Sequence, residues 1–148
     1  MKLALPVSLR DQIAHEALAA YPRECCGLIE GVRQADALRA VALHPARNLA
    51  AAADRFELDP GDHLAAQKAA RSGGHALVGC YHSHPGGQPE PSQWDRDGAA
   101  EADFLWLIAA NDGVKCRLKG FVYRESGFED IVLSVGADLV TSSLNERS

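Results

Sequence analysis

The sequence is poor in the features that most readily assign a function. Of its 148 residues only four are cysteine, one is methionine and 6% are aromatic, and no Cys-x-x-Cys pair occurs. Cys25, Cys26, Cys80 and Cys116 are too few and too irregularly spaced for a secreted disulfide framework, and two of them are adjacent. Reduced thiols packing as small hydrophobes are expected instead. No basic cluster stands out, and a formal charge of −5 argues against a nucleic-acid binder, which needs cations to displace counterions from phosphate. The longest uncharged apolar run, residues 104–110, is far short of the ~20 residues that span a bilayer. Residues 1–6 hold no signal-type apolar stretch before Arg10 and Asp11. The expectation is a cytoplasmic chain with neither nucleic acid nor membrane as partner; oligomeric state is not legible.

What the chain does have is 47% hydrophobic and 24% charged residues, enough for one ordinary domain with a core that needs no staples. A single domain over residues 1–140 with a polar tail at 141–148 is expected. Residues 8–20 read as a helix, with Ser8 as N-cap, Asp11 completing a capping box, and Pro22 beyond its end. Residues 24–31 and 37–43 read as a hairpin, and residues 55–58 as a short strand. Asp59 and Pro60 open a helix that runs to about Arg71 and stops at Gly73 and Gly74. Residues 76–82 are apolar on both faces, as in a central strand. A second capped helix starts at Ser92, and strands follow at 104–109, 115–123 and 128–135. Helices interleaved with buried strands indicate a layered α/β sandwich around one sheet.

His82 and His84 close the most strand-like segment, and residues two apart on a strand share a face. Two imidazoles so placed converge on one metal, although a bare His-x-His is also an ordinary strand end. After seven intervening residues comes Ser92, and three positions later Asp95, on the first turn of a helix. A carboxylate there reaches back as a third ligand and leaves the fourth tetrahedral position to water, the pattern of a catalytic zinc site. Asp97 is the fallback ligand; Cys80 and the remaining histidines, His15, His44, His63 and His75, are read as packing or surface residues. Trp94 either walls a substrate groove or packs its helix on the sheet, and Gly86 with Gly87 forms either a turn or a flap.

His-Ser-His, seven residues, Ser, two residues, Asp resembles the signature of the JAMM (MPN+) metalloproteases. Residues 22–31, Pro-Arg-Glu-Cys-Cys-Gly-Leu-Ile-Glu-Gly, resemble that family's upstream glutamate motif. The resemblance extends over most of the chain and is closest to small stand-alone prokaryotic members. It implies a cytidine-deaminase-like α/β/α sandwich around a mixed sheet, one Zn2+ held by His82, His84 and Asp95, Glu24 as general base and Ser92 as oxyanion donor. Cytidine-deaminase chemistry itself is excluded, since the His-x-Glu and Pro-Cys-x-x-Cys elements are missing. By analogy with prokaryotic relatives, the implied partner is a ubiquitin-like β-grasp sulfur carrier, cleaved after its C-terminal Gly-Gly, with its tail received by strand addition at a sheet edge. The alternatives are release of ubiquitin-like modifiers from lysines, processing of cell-wall or phage-tail peptides, and a non-catalytic MPN scaffold.

Overall fold

The computed structural model describes residues 1–136; the expected tail at 141–148 lies outside the described residues. Leu3 and Leu5 alternate inward and are fully buried, and they make residues Lys2–Pro6 a strand, β1, that the sequence reading did not include. Helix α1, Val7–Ala20, follows at once, with Pro6 in the N-cap position and no side-chain capping bond. The capping box of Ser8 and Asp11 is therefore corrected: the chain enters the helix straight from β1, and Asp11 instead accepts from Arg10 Nε at 2.8 Å. Hairpin β2, Cys26–Gln34, and β3, Ala37–Ala46, forms as expected, with β2 starting later and running on to the turn, and β3 continuing further from it.

Residues 55–58 are not a strand. Their only ladder contact is an isolated bridge between Asn48 and Leu58, because the Asn48 side chain takes the backbone groups a partner strand would use. Helix α2, Pro60–Ser72, has the expected Asp59 cap, whose carboxylate accepts from the Asp62 amide at 3.0 Å. Strand β4, Ala76–Pro85, leads to the short helix α3, Gln93–Gly98, then to β5, Leu105–Asn111, and β6, Cys116–Arg124.

The single strand expected at 128–135 is two: β7, Gly127–Asp130, pairs with β6, and β8, Val132–Gly136, pairs with β1. These are opposite edges of one eight-stranded mixed sheet, ordered β7-β6-β5-β4-β2-β3-β1-β8. Ile131 alone joins them, its amide bonded to Gly120 of β6, while the Val132 amide bonds to Met1. The sheet must therefore curl until its two edges lie one residue apart.

Helix α1 packs Ile13 and Ala17 on one face with Leu3, Leu5, Tyr81 and Leu107; α2 packs Ala66 on the other with Leu28, Cys80, Trp106 and Ile108. This is the mixed α/β layering the sequence indicated. Strand β4 lies in the middle, antiparallel to β2 and parallel to β5. Gly27 sits opposite Tyr81 in the β2–β4 ladder, and any Cβ there would collide with the Tyr81 ring, so only glycine lets the strands pack around that buried phenol. No described helix is long and apolar enough to cross a membrane.

Candidate active site

The last residues of β4 hold the two candidate histidines. His82 and His84 point to the α2 face, with 0% and 9% of their surface exposed, and their Nε2 atoms stand 3.0 Å apart. Asp95, on the first turn of α3 and 2% exposed, brings Oδ2 to 3.1 Å from each of those nitrogens. The same oxygen accepts from the Ser92 amide at 2.9 Å, and Ser92 Oγ accepts from the Asp95 amide at 3.1 Å. The capping box that starts α3 thus also aims its carboxylate at the strand end.

Three such atoms in a triangle with sides of 3.0–3.1 Å are close enough to share one cation. Metal bonds of 2.0–2.1 Å at tetrahedral angles would set such atoms about 3.3 Å apart, so the donors fit a zinc-sized ion. The environment of His84 fits as well. Its Nδ1–H donates to the Gln88 carbonyl at 2.9 Å, which turns the Nε2 lone pair inward. His82 Nδ1 is buried with no partner among the described residues; the ring is instead clamped by Phe56, stacked at 4.4 Å, and by the edge of Trp106 at 5.8 Å.

Charge follows the same geometry. Burial pulls the His82 imidazole below its ordinary value despite the Asp95 carboxylate beside it. In His84 the burial penalty is outweighed by Asp95 and the Gln88 carbonyl, which leave it raised. Burial disfavours the Asp95 anion, yet the two imidazoles and the Ser92 amide hold it well below the usual carboxylate range.

Glu24 precedes β2 and is brought alongside by the β2–β4 ladder, in which Cys26 faces His82 and the Ser83 amide bonds to the Cys25 carbonyl at 3.1 Å. A carboxylate oxygen of Glu24 and one ring nitrogen each of His82 and His84 lie within 4.8 Å of one another. Two carboxylates therefore border the imidazoles: Asp95 in direct contact, Glu24 a step further out. Burial pushes Glu24 up to about 8, with the neighbouring charges of Asp95 and Asp54 adding to it and His84 opposing, and its Oε1 has no partner among the described residues.

Asp97 is exposed and bonded to Gln93 at 2.8 Å, and Cys80 lies one step down the strand in an apolar cavity. Trp94 stays 45% exposed: it lines the same cavity, donates to the Phe56 carbonyl at 3.4 Å, and has the Arg55 guanidinium 4.1 Å over its ring. The Gly86–Gly87 segment is a turn tied to β5 through a 2.7 Å bond from the Gly86 amide to the Asn111 carbonyl. Strand β4 is flanked by β2 and β5, so it offers no free edge for strand addition.

Sequence reasoning missed Asn48 and Phe56. Asn48 Nδ2 donates to the Glu24 carbonyl at 3.0 Å and to Arg55 at 3.1 Å, and its Oδ1 accepts from Ala50 and Glu57, so one amide holds Glu24 and the loop that carries Phe56. The only signal was an uncharged polar residue ahead of a loop. His44 and His75 are likewise more than packing residues: they flank the buried Glu30 at 2.9 and 2.6 Å, away from His82, His84 and Asp95.

Residues 6–119 match the family of prokaryotic homologs of the JAB domain. The chain is 38% identical to the desampylase of Haloferax volcanii over 139 residues, covering 90% of this chain and 96% of that protein. It is 37% identical over 101 residues to tail tip assembly protein K of Escherichia phage N15, covering 68% of this chain and 37% of that protein. A solution structure from Desulfitobacterium hafniense superposes with a TM-score of 0.81 at 26% identity, covering 93% of this chain and 94% of that one. A JAB1/MPN domain protein from Archaeoglobus fulgidus, 17% identical with 90% and 95% covered, shares the fold at a TM-score of 0.52. With its metal-type cluster and its glutamate in place, the chain belongs to the prokaryotic JAB family, the small JAMM/MPN hydrolases.

Proposed function

We propose that this hydrolase is a zinc-dependent peptidase or isopeptidase that cuts the bond after the C-terminal Gly-Gly of a ubiquitin-like, β-grasp sulfur-carrier protein. One observation carries the reading most: the 3.0–3.1 Å triangle of His82, His84 and Asp95 with the buried Glu24 carboxylate beside it. In it His82, His84 and Asp95 hold the metal. Zinc bound there supplies a Lewis acid that acidifies water and polarises the scissile carbonyl. Glu24, whose carboxylate lies beside the two histidines, takes a proton from the attacking water and delivers it to the departing amine. Ser92 Oγ accepts from the Asp95 amide, leaving its own hydroxyl proton to donate where negative charge develops on the carbonyl oxygen.

The similarity to a desampylase over nearly the whole chain supports a ubiquitin-like substrate. Four free thiols suit a cytoplasmic setting. Similarity to a phage tail tip assembly protein supports a second reading, cleavage of a phage-tail peptide. The test is to incubate the zinc-loaded protein with a β-grasp carrier extended beyond its Gly-Gly and to read the products by mass spectrometry. Release of the extension at Gly-Gly is expected. An intact carrier beside an active control enzyme refutes the assignment, and cleavage of tail-tip peptides alone moves it to the second reading.

A further inference from the structure

A second feature lies one strand away from the metal cluster. In the register of the sheet His84 faces Ala110 on β5, and Ala110 faces Arg117 on β6. Laterally paired residues share a face, so these three form a row in which the methyl of Ala110 separates the imidazole from the guanidinium. At about 4.8 Å per strand, the His84 and Arg117 backbones are roughly 10 Å apart. Over this row and the adjoining strand ends is a cavity of about 260 Å³ lined by Gly86, Gly87, Asn111, Asp112, Lys115 and Arg117.

Three properties of the lining select an anion. Asn111 is only 4% exposed, and its Oδ1 accepts from the Gly113 amide at 3.1 Å, which fixes the amide so that Nδ2 is the donor left over. That Nδ2 has no partner among the described residues, an expensive state for a buried donor. Arg117 uses one nitrogen on Gln88 Oε1 at 3.2 Å, and neither it nor Lys115 forms an ion pair among the described residues. The one carboxylate in the lining, Asp112, is occupied by the Val114 and Lys115 amides of its own turn at 2.9 and 2.7 Å. The lining thus carries two cations against one anion, plus a buried amide donor. Gln88 couples this cavity to the metal cluster, since its carbonyl holds His84 while its side chain holds Arg117.

We infer that this cavity is a carboxylate subsite, in which Arg117 and Lys115 receive the free α-carboxylate of the residue released beyond the scissile bond, beside the buried Asn111 amide. The inference rests on the proposed peptidase function and narrows its substrate. An extended residue advances about 3.3 Å, so a single-residue extension carries its carboxylate from the reacting carbonyl toward the cavity across Ala110. A guanidinium fork suits a planar carboxylate. An isopeptide-linked lysine within a folded protein has no free α-carboxylate near the cut bond and gains nothing here. The subsite therefore favours carriers extended by one residue over protein conjugates.

The test compares two peptides ending in Gly-Gly-Phe, one as the free acid and one as the C-terminal amide, with zinc-loaded full-length protein. The acid is expected to be cleaved with about a ten- to hundredfold higher kcat/KM, mainly through KM, the range of a hydrogen bond to a charged group. Arg117→Gln is expected to bring the ratio toward one, and Asn111→Asp, which keeps the shape and adds a negative charge, to invert it. Equal cleavage of both peptides by the wild type overturns the subsite while leaving the peptidase reading intact. Binding is read independently from the Asn111 side-chain amide signal in NMR spectra of the zinc-loaded protein. Glycylphenylalanine should shift it, glycylphenylalanine amide should not, and Arg117→Gln should abolish the shift. If neither peptide is cleaved, this titration still decides: no acid-specific shift at Asn111 refutes the subsite.

Discussion

Glu24→Gln separates what Glu24 costs the fold from what it does in the reaction. The substitution keeps shape and removes a charge that the metal-free site disfavours. Burial raises the carboxyl from 4.5 to about 8, so the folded state holds a proton that the unfolded chain has released. The associated stability is fully present below pH 4.5 and is lost as pH rises through about 8. At 1.36 kcal/mol per pH unit that displacement corresponds to about 5 kcal/mol; screening by the solvent that still reaches the group reduces it to about 2 kcal/mol. Glutamine has no proton to lose. Metal-free Glu24→Gln should therefore match the wild type near pH 4.5 and exceed it at pH 9, by about 4–8 °C in Tm at this chain length. The assay is thermal unfolding after exhaustive chelation, with the two proteins compared at each pH. The buried thiols, which also become costly in alkali, then cancel. Zinc should erase the difference, since a cation beside Glu24 stabilises its anion. The zinc-loaded variant should nevertheless hydrolyse substrate far more slowly. A variant no more stable than the wild type at pH 9 refutes the burial argument, and one that turns over at the wild-type rate refutes the assignment of Glu24 as base.

Asp95→Asn keeps the α3 cap acceptor but removes the charge that holds two imidazoles in place, so metal content after dialysis should fall from one zinc per chain to well below one, measured by elemental analysis. Retention of a full equivalent would point to Glu24 as the third ligand, the other carboxylate within reach of the two histidines. Ser92→Ala should keep its metal, lose about 1 kcal/mol of stability through the missing cap, and lose roughly 10²- to 10³-fold in kcat. A loss confined to stability, read by unfolding beside steady-state kinetics, would leave Ser92 as a cap alone.

What was legible in the sequence, and what was not, follows from how each group is held in place. His82 and His84 are set by the two-residue period of a single strand, and Ser92 and Asp95 by the three-residue span of one helical turn, so spacing along the chain already puts each pair on one face. Joining the two pairs needs only a short turn, and the structure closes it within 3.1 Å. Glu24 is different: nothing near it in the chain marks it, and only the pairing of β2 with β4 brings it to the histidines, which is why the motif resemblance and not the local pattern singled it out. The same reason hid the rest. Leu3 and Leu5 alternate over too short a stretch to announce a strand until β3 and β8 close on either side. Residues 55–58 alternate as a strand should, yet the Asn48 amide takes the hydrogen bonds that would have paired them. Ile131 carries neither glycine nor proline to mark a break; the division of β7 from β8 is imposed by a sheet curled until its edges meet. Arg117 comes within two strands of His84 only through the registers of β4 with β5 and β5 with β6. The His82, His84, Ser92 and Asp95 group is therefore written locally, whereas Glu24 and Arg117 are placed by register, and only the folded sheet brings the second set to the first.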